Sequence, residues 1–167
     1  MINIKKISIV ILLFLQSCME PDTEKLWGIS IENIFETKGF ARSVIVEGSR
    51  AYVAAGQSGT QIWDLEENTL LKDFTGYEEG GTFLEFQDLA LIGRDPINSL
   101  LFLSESNQDV KIFHLDETDS LIYRNTIMSA RTKDFVSFPS IQDQFVMYSA
   151  DNDDGLKWHF YNLDSLS

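Results

Sequence analysis

Cysteine is almost missing from this chain of 167 residues: there is one, Cys18. No intramolecular disulfide can form, and any metal site would have to use oxygen and imidazole ligands. Imidazole is scarce as well, since His114 and His159 are the only histidines. Beyond residue 17 there is no convincing helical periodicity and no run of 18 apolar residues, which argues against both a helical fold and a membrane-spanning helix there. Basic residues are few, 13 against 26 acidic, for a net charge of −13. A surface this acidic does not track phosphate backbones, so nucleic acid is not an expected partner.

The N-terminus departs from this polar character. Lys5 and Lys6 precede an apolar stretch, 7–15, interrupted only by Ser8. That stretch is too short to cross a bilayer, which takes roughly 20 residues, and it has the form of a signal-peptide core. Leu15-Gln16-Ser17-Cys18 follows and resembles the bacterial lipobox, in which cleavage precedes a cysteine that is diacylated on sulfur and then acylated on nitrogen. The expectation is a leader at 1–17, a palmitate-type lipid on Cys18 and a polar tether at 18–25, giving attachment to the membrane through several acyl chains. Met19 stands where aspartate would favour inner-membrane retention in some bacteria, so the outer membrane is expected. Loss of the leader removes two lysines and leaves 11 basic against 26 acidic residues, net −15.

The stretch 51–65, AYVAAGQSGTQIWDL, returns in altered form at 101–115 and 145–163. Each copy has an apolar run, a polar turn and a second run ending on an aromatic, a polar residue and leucine. The closing triplets are Trp63-Asp64-Leu65, Phe113-His114-Leu115 and Tyr161-Asn162-Leu163, at a period of 50 and then 48 residues. Such a period points to a propeller or another repeat array. Runs of β-branched and aromatic residues separated by glycine and acidic turns fit short antiparallel strands. The expected class is all-β: about three four-stranded antiparallel propeller-like blades within 26–167, with repeats near 40–76, 82–127 and 132–167. The last blade lacks its fourth strand, and 26–35 reads as a further strand. The closing strands are apolar on both faces, as expected of sheets sandwiched between neighbours. An open arc, completed by a second copy of the chain or by further residues, is the expected assembly.

Residues 32–65 resemble the LVIVD repeat of exported bacterial β-propeller proteins, through a Gly39-Phe40-Ala41 entry, a β-branched inner strand, Ala51-Tyr52-Val53-Ala54, a glycine turn and the Ile62-Trp63-Asp64-Leu65 close. The likeness loosens in the other copies, where His114 and Asn162 replace Asp64. The resemblance implies a fold and an exported location, and brings no catalytic residues.

Clusters that suggest chemistry have plainer explanations. Asp151-Asn152-Asp153-Asp154-Gly155 carries calcium-type oxygens, but glycine is fifth rather than sixth and the twelfth residue is Asn162. A hairpin turn is expected there, and also at Gly56-Gln57-Ser58-Gly59, which lacks the spacing of a nucleophile elbow. His114 and His159 are out of register and are expected to hydrogen-bond within the fold. Glu78 and Glu79 read as a solvated loop, and Trp63 and Trp158 as core; the burial of Trp27 is left open. No catalytic residue, metal ligand or cofactor is assigned. The favoured function is an envelope lipoprotein whose body binds protein or glycan. The alternatives are an envelope hydrolase or lyase using acidic residues on the propeller, and an assembly factor that accepts strands from other proteins.

Overall fold

Ser43–Glu47 (β1) sets three β-branched residues between polar ends, with alternate side chains exposed, and Gly48, held at φ 59°, turns it with Ser49 into Arg50–Ala54 (β2). A two-residue loop with a left-handed glycine is what a tight hairpin requires. Thr60–Asp64 (β3) and Thr69–Phe74 (β4) complete a four-stranded antiparallel sheet in chain order. In this computed structural model, residues 30–128, 131–141 and 144–162 are described. The chain divides into two units, Met1–Phe35 and Glu36–Ser167, and all the strands belong to the second.

Gly76–Glu79 (β5) and Thr82–Glu85 (β6) form a separate hairpin. Leu89–Asp95 (β7), Leu100–Glu105 (β8), Val110–Leu115 (β9) and Leu121–Ile127 (β10) make a second four-stranded sheet. Thr132–Ile141 (β11), Gln144–Asp151 (β12) and Gly155–Asn162 (β13) make a third, of three strands. Every pairing is antiparallel, and no helix occurs among the described residues.

The periodicity of the sequence is also a periodicity of geometry. Trp63 lies opposite Ala51, Phe113 opposite Leu101 and Tyr161 opposite Phe145. The Leu65 amide donates to the Ser49 carbonyl (2.7 Å) and the Leu115 amide to that of Ser99 (2.8 Å). Left-handed backbone recurs at Gly48 and Ser99, at Gly56 and Asn107, and at Asn68 and Asp119.

Two cores hold the sheets together. Tyr52, Ala54 and Ile62 of the first sheet meet Leu101, Leu103, Phe113 and Leu115 of the second. The opposite face of the second sheet, with Leu100, Phe102, Val110 and Ile112, meets Phe145 and Met147 of the third, with Phe135 and Tyr161 packed against them. In both cases the face carrying Tyr52 or its counterpart Phe102 lies on the next sheet's face carrying Leu101 or its counterpart Phe145. Gly93 permits the second contact, since a Cβ there would overlap the Phe135 ring.

Several expectations need correcting. Residues 30–35 do not form a strand; 26–29, with Trp27, lie outside the described residues, as do the leader and Cys18. The second repeat, expected to form one blade over 82–127, does not do so from its start, because 82–85 turns back on β5 instead of joining the second sheet. Glu78 and Glu79 are exposed but belong to a strand, not a loop. Trp158 is not core: it is 65% exposed, on the face of the third sheet turned away from the second.

Candidate binding surface

The β5–β6 hairpin stands beside β10, and together they bound an open cleft of about 490 Å³ lined by Tyr77, Glu78, Phe83, Leu121, Ile122 and Tyr123, among others. Clefts that hold small ligands or short polymer segments have comparable volumes, roughly 300–1,000 Å³. Gly76 begins the hairpin, and a Cβ at this position would overlap the Leu84 carbonyl oxygen of β6. Glycine therefore serves close backbone approach here, while its neighbour Tyr77 anchors the hairpin to the core. The Tyr77 ring lies 5.2 Å from Phe113, edge to face, 5.3 Å from Tyr123 and 5.5 Å from Phe86.

Burial raises the Tyr77 hydroxyl to a pKa of about 12, with Glu79, Tyr123 and Glu105 adding to the effect by their charge. The cleft floor is therefore neutral and aromatic at physiological pH. Its rim contrasts with that floor: Phe83 is 55% exposed, Ile122 is also exposed, and Glu78 is an exposed carboxylate. An aromatic wall beside a hydrogen-bond acceptor can stack on the apolar face of a sugar ring or on a protein side chain while accepting hydrogen bonds from its hydroxyls or amides.

The candidate residues weighed from sequence lie elsewhere. His159 Nε2 is 3.0 Å from Ser149 Oγ, inside the third sheet, where Ser149 is fully buried. Burial lowers the His159 pKa, so its neutral form is favoured. The His114 expectation fails in part, since its Nδ1 is buried with no hydrogen-bond partner. Asp151–Gly155 closes the β12–β13 hairpin, as expected of a turn. Its carboxylates meet Lys157 Nζ, 2.8 Å from both Asp151 and Asp154, and those contacts raise the lysine's pKa. The Gly56–Gly59 segment is likewise a turn, closed by the Gly59 amide donating to the Gly56 carbonyl. Among the described residues no three His, Cys, Asp or Glu side chains are placed to hold a metal ion.

Sequence reasoning missed the ionic ties between sheets. Arg94 Nε of the second sheet reaches Glu47 of the first at 3.0 Å, and its guanidinium lies 5.4 Å over the Tyr52 ring. Within the second sheet, Lys111 pairs with the buried Glu105 at 3.1 Å, a further pair of this kind. Neither arrangement carries a sequence signal, because a charge at an otherwise apolar strand position reads as solvent-facing.

What these features define is an all-β protein of consecutive antiparallel sheets with an aromatic cleft. No protein-family model matches the chain. It is similar, at 22% identity over 100 residues, to the "Probable malate:quinone oxidoreductase" of Xylella fastidiosa (strain 9a5c), a match covering 60% of this chain and 17% of that protein. The chain thus matches only about a sixth of that relative's length. Among solved structures, the computationally designed Ika4 protein aligns at 10% identity and a TM-score of 0.40, over 80% of this chain and 96% of the other.

Proposed function

We propose that this is an envelope-anchored bacterial lipoprotein, held at the outer membrane through lipid on Cys18, whose LVIVD-type propeller-like body binds protein or glycan. The sheets act as blades of an incomplete array, and the β5–β6 hairpin, an insertion between the first two, supplies the binding surface. The observation that carries the binding reading is the cleft itself, where exposed Phe83 and Glu78 flank the aromatic floor of Tyr77 and Tyr123. The basic and apolar leader ending in Leu15-Gln16-Ser17-Cys18 supports the anchor.

Two measurements test the two halves separately. Cys18→Ser should release the protein from membranes; retention after carbonate washing would defeat the anchor. Immobilised protein challenged with envelope oligosaccharides and envelope proteins should retain a ligand that Phe83→Ala loses, while equal retention by both would defeat the cleft. A second reading, acceptance of a strand from another protein, is favoured by β13, which among the described residues pairs only with β12.

A further inference from the structure

The outward face of the third sheet is an apolar grid. In register across its strands lie Asp134, Ala150 and Leu156; then Val136, Tyr148 and Trp158; then Phe138, Val146 and Phe160. Leu156 is 75% exposed, Trp158 65% and Phe160 54%, and Val136, Phe138 and Tyr148 are exposed with them. Asp134 is the one charged residue of the grid, and Gln144 and Asn162 pair at the far end. A contiguous apolar patch with polar ends marks an interaction surface. The corresponding face of the second sheet, carrying Phe102, is the one already buried against a neighbouring sheet.

We propose that this face binds the same face of a second copy of the chain, forming a two-fold symmetric sandwich of third sheets. Three observations select that occupant. Taking ~150–250 Å² for each large aromatic, the exposed side chains offer on the order of 600 Å² per copy, so two copies bury about 1,200 Å², the lower bound of stable interfaces. The rival surface, the outer face of the first sheet, has little left to give: Ala51 and Val53 are buried, Trp63 is 9% exposed, and only Val44 and Val46 remain open on the edge strand. Head-to-tail contact closes only where its rotation completes a ring and otherwise runs on from copy to copy, whereas like-to-like contact closes at two. A two-fold axis lying between the sheets and across the strands keeps the two Asp134 carboxylates at opposite ends. The shallow recess of about 120 Å³ bordered by Val136, Tyr148 and Leu156 gives an opposing apolar side chain a place to enter. This sandwich is not the ring completion suggested by the sequence, and it depends on neither the lipid anchor nor the cleft.

The test uses the full chain carrying Cys18→Ser, which leaves it without other thiols. Sedimentation should give the mass of two chains, rising in proportion with salt as acidic repulsion is screened, and Trp158→Asp should halve the mass while keeping the β-type circular dichroism of the parent. Adding Tyr148→Cys, near the middle of the face, should give a disulfide-linked pair on oxidation, and this arm decides the matter if the aspartate variant does not fold. A single-chain mass at every concentration, with Tyr148→Cys failing to cross-link, would overturn the proposal and leave the face to another protein. A dimer unchanged by Trp158→Asp would overturn it too, as would preferential cross-linking of Val44→Cys chains to Trp158→Cys chains, which would reveal head-to-tail stacking.

Discussion

Asp64 and Asp116 show how a repeat keeps a function while moving the residue that performs it. Asp64 Oδ1 accepts the amides of Glu66 and Glu67, at 2.9 and 3.0 Å, and so forms the turn into β4. In the second copy His114 stands in the matching position, and Asp116, two residues on, accepts the amides of Thr118 and Ser120 instead, at 2.8 Å each. The aromatic before each turn is conserved in position but not in burial: Phe113 is wholly enclosed, whereas Tyr161 is half-buried. Phe113→Ala should therefore cost about 3–5 kcal/mol, the range for emptying an aromatic core site, and Tyr161→Ala clearly less, as urea unfolding would measure. Two titrations follow from burial. Tyr77 has its pKa raised to about 12, so its neutral form stabilises the fold fully below pH ~10, and that contribution is lost as pH rises toward 12. Tyr77→Phe should flatten the fall in melting temperature over that range. His159 has a lowered pKa, so the unfolded chain binds its proton more readily; stability should drop as pH falls below ~6.5, and less so in His159→Gln.

Elements were legible where a strand and its turn both sit in one short window. The β-branched run in Ser43–Glu47, the Gly48-Ser49 turn and the closing aromatics placed the strands and their mutual register. The β5–β6 hairpin was not legible, because glycines at both ends of an acidic stretch read as loop chemistry, while Gly76 in fact admits a neighbouring backbone. Nor was the cleft, since its walls come from β5, β6 and β10, separated by some forty residues. Exposure of Trp158 was hidden for a different reason: alternation says which residues share a face, not whether another sheet covers that face. Gly93 is the complementary case, a small residue whose purpose is visible only in the packing. Gly93→Ala should push Phe135 away and cost ~1–3 kcal/mol, with β11 losing amide protection before β2 does.

At the scale of the molecule, among the described residues only the second sheet has both faces packed against other sheets, so its amides should exchange slowest, and those of β13 should exchange sooner. Hydrogen exchange resolved by strand would check this order. The chain has few basic groups to offset its acidic excess, and the ion pairs at Arg94 and Lys111 consume two of those. Because each sheet is made of neighbouring strands in chain order, its hydrogen bonds join residues close in sequence, and chain closure costs little entropy. A nascent chain can thus finish its first sheet while the last is still being synthesised, each newcomer condensing on the surface its predecessor has prepared. Assembly then runs in one direction, from N-terminus to C-terminus, and a nascent chain that has emerged only as far as residue 127 would be a two-sheet intermediate whose sticky side is Phe102 and Ile112 rather than Trp158.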